Sequence, residues 1–405
     1  MKIKLGVIFG GESVEHEVSI ISAVQAMNKM DSEKYEIIPI YITKDREWYT
    51  GEMLKEIDTF SDLSLIKKYA KNVVLYSKNG RFILQNKKGF KTVVKELDIV
   101  FPIVHGTNVE DGVLQGYLQS IGIPFVGGDV YASVVGQDKL FMKQIFETEK
   151  LPICKYVWFY DNEYEEDPEE IFSKIKKMGY PVIVKPATLG SSVGIKTAKD
   201  QEELKVAVDD AVKYDNKIIV EKLVENLMEV NISVLGNYES QRVSAIEQVI
   251  PSRDMLTYED KYIGSSKTKG KLGGKFKSSK GMVSANRVIP APLKDGMKEE
   301  IETVAVKAFK ALGSSGVVRI DFLVDEKTGK IYINEVNNIP GSLSFYLWEP
   351  IGVEYTELLD DMINIGIRDY KKRTSKTHSF ETNILKGFTE LGGLKGMKGS
   401  KGKLR

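Results

Sequence analysis

Two apolar strands, VVRIDFLVD and KIYINEVN, are separated by only four residues, with a tight connection at Thr328-Gly329. A parallel pairing needs a crossover of roughly a dozen residues, so these two must be antiparallel neighbours in a hairpin. Side chains alternate along a strand. Arg319 and Asp321, and Glu335 and Asn337, each spaced i, i+2, therefore point to one face. The flanking Val317, Ile320, Phe322, Ile331, Ile333 and Val336 are apolar, from which we expect a sheet buried on its opposite side. The chain opens differently. KLGVIFGG, the stretch Val18 to Met30 and YEIIPIYIT form a strand, glycine turn, helix and strand, the βαβ signature of a parallel sheet.

One chain must hold both arrangements, and 405 residues exceed what a single core serves. We read residues 1–130 as a doubly wound parallel-sheet domain of α/β class. An insertion at about 46–95 decorates it and carries a hairpin at Asn79-Gly80. Residues 131–230 and 231–370 read as two α+β domains with antiparallel sheets. The central one has an acidic helix from Asp161 to Met178, and the last one a Lys/Gly/Ser loop at 257–284. Residues 371–405 are Gly- and Lys-rich and too polar to offset their ordering entropy, so a mobile basic tail is expected.

Charge excludes several functions. Lys plus Arg total 58 against 57 Asp plus Glu, so no overall field recruits nucleic acid or an anionic membrane. The tail lacks the interleaved aromatics of a nucleic-acid arm. No run of about 18 apolar residues can cross a bilayer. The apolar run at the start is too short for a secretory core and reads as a first strand. A lone Cys154, read as a buried inert thiol, fits a reducing compartment. A cytoplasmic enzyme is the expectation.

An acid and amide cluster on one patch repels itself unless a cation sits there, whereas a merely solvated hairpin face could show the same letters. Hard divalent ions take carboxylate and amide oxygens and bridge polyphosphate, so Asp321, Glu335 and Asn337 suit a two-metal cradle with Arg319 beside the phosphate charge. VIVKPATLGSSVGI places Lys185 on a strand before a glycine-serine loop that can wrap phosphate, although many such loops exist only because turns need glycine. In KIIVEKLVENLMEVNISV, Glu221 and Glu229 bracket a linker between apolar strands, either as solvated surface or as the edge of an adenine slot.

Taken in order, these pieces resemble the ATP-grasp superfamily. GGESVEHEVSIISA, HGTNVEDGVLQGYLQ and TYEDKYIG narrow the resemblance to the D-alanine:D-alanine ligase family, over roughly residues 3–365. The resemblance implies a Rossmann-like first domain and two ATP-grasp domains, with ATP and two Mg²⁺ ions, Mn²⁺ being an acceptable substitute. Lys139 and Lys185 resemble the phosphate-contacting lysines, under a loop that includes Ser191 and Ser192. Glu221 with Lys222, Leu223 and Val224 resembles the adenine hinge, and Glu229 the ribose ligand. Glu15 resembles the group that holds the first amino acid's ammonium, with Ser191 and Tyr262 as partners, and His105 lies near its carboxylate. Lys261 and Arg319 resemble the groups on the transferred phosphate and the oxyanion. The partners implied are small amino acids and, as in relatives, a second copy of the chain in a homodimer.

The chain departs from the family after Asn337. Asn338-Ile339-Pro340-Gly341 runs into SLSFYLWEP, where typical members have a longer, serine-rich turn that holds the second substrate. Ser342, Ser344 and Tyr346 are the candidate replacements. Depsipeptide-forming relatives carry a histidine where Lys261-Tyr262 stands, and this chain has none between His105 and His378, which favours an amine nucleophile. Three functions compete: D-alanyl-D-alanine synthesis for peptidoglycan, a related ligation with another second amino acid, and a nucleotide-binding regulator without turnover. The last would lack metal ligands or the lid motif, and both are present.

Overall fold

Burial on both faces makes the first strands continuous apolar runs, and in the computed structural model they pair in parallel, β1 (Ile3–Gly10) with β2 (Tyr35–Ile42). The structure describes residues 2–190, 193–250 and 287–379. The expected insertion is part of the same sheet. β3 (Trp48–Thr50), β4 (Lys71–Lys78), β5 (Arg81–Asn86) and β6 (Val93–Leu97) extend it antiparallel from β2, while β7 (Ile99–Pro102) pairs in parallel with β1 on the other side. Tyr49, Leu54, Ile66, Val73, Leu75 and Leu84 are buried in the common core, so the segment completes the sheet and does not merely decorate it. Asn79 and Gly80, both at positive φ, turn the β4–β5 hairpin as the sequence predicts.

The second sheet has the order β10-β9-β11-β8, from β8 (Tyr156–Tyr160), β9 (Val182–Pro186), β10 (Lys196–Ala198) and β11 (Lys217–Lys222). Its acidic helix is broken into Asp161–Glu166 and Pro168–Met178. Proline cannot continue a helix but suits its first turn, and the Asp167 side chain caps the second piece at the Glu170 N–H. The third sheet, β14-β13-β12-β15-β16, comprises β12 (Leu227–Gly236), β13 (Gln241–Val249), β14 (Arg287–Val288), β15 (Gly316–Asp325) and β16 (Ile331–Asn337).

Apolar side chains tie these layers together. Met142 and Phe146, on the helix Lys139–Thr148, bury themselves in the core of the third sheet. The chain beyond β16 returns to the first sheet, where Leu343, Leu347, Trp348, Leu358, Leu359 and Ile363 share one core with Leu5, Ile8 and Phe101. Met1–Ile367 form one compact unit and Arg368 begins another. The described part of the latter finishes the helix Tyr355–Thr374, and His378 Nε2 lies 2.8 Å from the Arg373 carbonyl. Among the described residues no helix is long and apolar enough to cross a membrane.

Candidate active site

A cavity of about 790 Å³ opens between the sheets, a size suited to a nucleotide and small substrates. Lys139, Lys185, Glu221, Lys222, Leu223, Val224 and Glu229 line one end; Glu15, His105, Arg319, Asp321, Glu335, Asn337 and Tyr346 line the rest. Ser191, Ser192, Lys261, Tyr262 and the loop at 257–284 lie outside the described residues. Ser344 is fully buried and does not reach the cavity wall.

The lysine end of the cavity stands on a buried ion cluster. Lys185 on β9 and Glu221 on β11 lie on neighbouring strands, with Lys185 Nζ 3.3 Å from Glu221 Oε1. Lys143, one turn after Lys139 and completely buried, approaches Glu221 Oε2 at 3.2 Å. Burial alone would raise the Glu221 pKa, but Lys143 and Lys185 together hold it below the usual carboxylate range. Lys139 Nζ donates to the Leu189 carbonyl at 2.6 Å and lies 3.9 Å from Glu335. Burial lowers its pKa. Lys143 is a missed residue whose signal was available, since i, i+4 spacing puts it on the helix face of Lys139.

At the centre, β15 and β16 pair Arg319 with Asn337 and Asp321 with Glu335. Arg319 donates from Nε and NH2 to the two Asp321 oxygens at 2.6 and 2.8 Å, and Asn337 Nδ2 donates to Asp321 at 3.1 Å. Burial opposes the Arg319 charge, but Asp321 outweighs it and raises the pKa. The register shifts between Asp321 and Phe322. Strict alternation would put Glu335 on the face of the buried Ile331 and Ile333; the bulge at Asn334 lets both Asn334 and Glu335 line the cleft. Asn334 Oδ1 then accepts from Lys185 Nζ at 2.9 Å, joining the lysine end to the acid pair.

Glu15 stands just before the helix His16–Met27, wedged between two loops that approach it only as glycine. A Cβ on Gly106 would fall 2.9 Å from Glu15 Oε2, and one on Gly190 3.0 Å from it. His16 fixes the turn: Nδ1 donates to the Gly11 carbonyl at 2.6 Å and Nε2 accepts from the Tyr41 hydroxyl at 2.9 Å, in keeping with a burial-lowered pKa and a neutral ring. His105 is likewise neutral, its pKa lowered by burial. It makes a 3.1 Å hydrogen bond to Ser22 Oγ, which also accepts the Ser342 N–H. Glu110, within the HGTNVEDG stretch but given no role from sequence, accepts the Gly106 and Ile339 N–H groups at 2.9 Å each and so bridges the first sheet's loop to the segment after β16. Burial, with help from Glu15, pushes its pKa up to about 8.

An antiparallel sheet bearing paired acids, faced by buried lysines across a nucleotide-sized cleft, is the architecture of the ATP-grasp ligases. Solved structures share it over most of the chain. The D-alanine-D-alanine ligase from Coxiella burnetii matches with a TM-score of 0.75 at 26% identity, covering 92% of this chain and 98% of that one. The VanG D-Ala:D-Ser ligase from Enterococcus faecalis matches with a TM-score of 0.73 at 30% identity, covering 90% and 100%. Residues 4–128 match the family described as D-ala D-ala ligase N-terminus, and residues 145–364 its C-terminus. The D-alanine–D-alanine ligase of Thermosipho melanesiensis is 39% identical over 387 residues, covering 95% of this chain and 98% of the relative. The chain belongs to the D-alanine:D-alanine ligase family. It is accordingly an enzyme, an ATP-dependent ligase that uses a divalent metal and acts on small amino acids.

Proposed function

We propose that the chain joins D-alanine to a second D-alanine through an acyl phosphate, in the cytoplasm, to supply the dipeptide of peptidoglycan precursors. The observation that carries the reading is the row formed by Asp321 and Glu335, in one cavity with Lys139, Lys185 and Glu15. Three domains, cut near residues 130 and 230, would form the walls of the cleft, and a homodimer is the proposed assembly.

Asp321, Glu335 and the Asn337 amide oxygen fit two Mg²⁺ ions, or Mn²⁺ in their place, because they are hard oxygen donors facing each other across two strands. Arg319 contacts both Asp321 oxygens, yet a carboxylate has about four lone-pair sites and can serve a metal as well. When bound, the metal supplies charge neutralisation on the triphosphate.

Lys139 and Lys185 hold the phosphates, with Ser191 and Ser192 in the covering loop, and Glu221, Lys222, Leu223, Val224 and Glu229 seat the adenosine. Glu15 binds the first amino acid's ammonium, next to His105. That substrate's carboxylate oxygen attacks the γ-phosphorus and ADP leaves, with the lysines meeting the developing charge. The second amino acid's neutral amine then attacks the acyl carbon, Arg319 stabilises the oxyanion, inorganic phosphate departs and the amine's proton passes to solvent. Lys261 and Tyr262 belong to the lid that keeps water from the acyl phosphate.

The test is trapping with hydroxylamine. D-alanine, ATP and Mg²⁺ should give D-alanine hydroxamate, and without the trap the dipeptide and one ADP per bond. ADP formation that needs an unrelated carboxylate, or none with any amino acid, overturns the reading.

A further inference from the structure

The pairing of the third sheet sets four same-face side chains in a row across four strands: Glu247 opposite Asn231, Asn231 opposite Asp321, and Asp321 opposite Glu335. The row of the acid pair therefore continues past β12 to Glu247, and two residues further along β13 the edge strand β14 places Arg287 opposite Val249. All of these residues line the cleft. Glu247 is almost completely buried, yet every element around it supplies a partner. Its Oε1 accepts from Asn231 Nδ2 at 3.0 Å and from the Tyr346 hydroxyl at 3.1 Å, and its Oε2 lies 3.1 Å from Arg287 NH1. The Arg287 guanidinium lies over the Tyr346 ring, 4.1 Å from its centre.

Among the described residues two guanidiniums face the cavity, and they are committed differently. Arg319 spends Nε and NH2 on Asp321 in a bidentate grip, which ties it to the acid pair. Arg287 is stacked on an aromatic face and met by Glu247, an arrangement that fixes the plane of the fork. Buried ion pairs contribute little net stability compared with apolar residues of the same shape, so stability alone is a weak reason for one here. An arginine with its plane fixed and its side chain only 16% exposed, on the wall of a substrate cavity, is matched to a carboxylate.

We propose that Arg287 determines specificity at the acceptor subsite, gripping the α-carboxylate of the second amino acid, with Glu247 and Tyr346 holding its guanidinium in place. The assignment rests on the ligase reading above. It puts the acceptor's carboxylate at the edge-strand end of the sheet. Glu247 and Tyr346 also act electrostatically on Arg319, so the Arg287 pocket adjoins the residue assigned to the oxyanion. It also accounts for the short SLSFYLWEP stretch: Tyr346 supports the arginine that replaces a serine-rich turn.

The experiment compares the full-length wild type with Arg287→Gln and Arg287→Lys, using D-alanine and D-alaninamide as competing acceptors and hydroxylamine trapping for the first half-reaction. The wild type should prefer D-alanine to the amide. Arg287→Gln should raise the acceptor KM about tenfold or more and reduce that preference by the same factor, as expected for a lost charged hydrogen-bond pair. Arg287→Lys should fall between, and hydroxamate formation and the first-site KM should stay within about twofold. An unchanged acceptor preference in either variant, a wild type indifferent to the amide, or hydroxamate yield falling in parallel overturns the proposal. If Arg287→Gln does not fold, the lysine variant decides. A wild type that forms no hydroxamate from D-alanine refutes the ligase reading itself, an outcome separate from those.

Discussion

The two ends of the cleft are built on different principles. At the lysine end, proposed for the nucleotide, charges compensate one another in the cavity wall: Lys143 and Lys185 flank Glu221, and all three side chains are buried. At the proposed acceptor end, the side chains come from β13, from the edge strand β14 and from a turn that the backbone adopts reluctantly. Ser342, Leu343 and Ser344 all have φ near +50°, a left-handed run that L-residues avoid. The first end is stiff through electrostatics, so its residues carry stability and binding together. The second is held by tertiary contacts, such as Ser342 to Gln25 and Ser22, so it can vary while the chemistry stays constant.

The largest effect expected from this contrast is on stability at the nucleotide end. Glu221→Gln leaves two lysines buried without their carboxylate and should cost about 3–5 kcal/mol in denaturant unfolding. A loss below about 1 kcal/mol would mean that the two lysines do not depend on Glu221 for charge compensation. Next, Glu335→Gln should lower turnover by about 10²–10³-fold with the melting temperature nearly unchanged, because it removes charge stabilisation and no core contact. If nucleotide-metal affinity and turnover both survive, the acid row is not the metal site.

The contact between the first sheet's loop and the segment after β16 should respond to pH through Glu110. Its folded pKa of about 8 lies above the ordinary value of 4.5, so the folded protein holds an extra proton between those limits. The stability it contributes is present at low pH and lost as pH rises through about 8. Thermal unfolding from about pH 5 to about pH 9 should therefore show a steeper decline for the wild type than for Glu110→Gln. Parallel curves would remove the carboxyl from its assigned environment.

The smallest effect concerns Ser344, whose buried Oγ has no hydrogen-bond partner among the described residues. Ser344→Gly should raise stability by about 1 kcal/mol by relieving the left-handed residue, and leave acceptor kinetics unchanged. An acceptor KM that rises instead would return Ser344 to the substrate site.

The same contrast explains what the sequence made legible. The hairpin acids, the lysine before the glycine-serine loop and the hinge glutamate are local motifs whose chemistry depends on short spacing, and they meet in one cavity. Glu247 and Arg287 are 40 positions apart in the chain and adjacent only through strand register, which composition and periodicity do not reveal. The alternation of β16 fails at Asn334 because a bulge re-aims one side chain, and no residue type announces it. Pro168 did carry a signal, since its ring limits any helix that reaches it from the N-terminal side.

The return of residues 343–365 to the first sheet has a consequence during synthesis. Trp348, Leu358 and Ile363 are the complement of apolar side chains on strands made some three hundred residues earlier. A nascent chain must keep that greasy face exposed on the ribosome until residues 343–365 have emerged, which makes the early sheet a client for chaperones and a hazard in any product truncated before them.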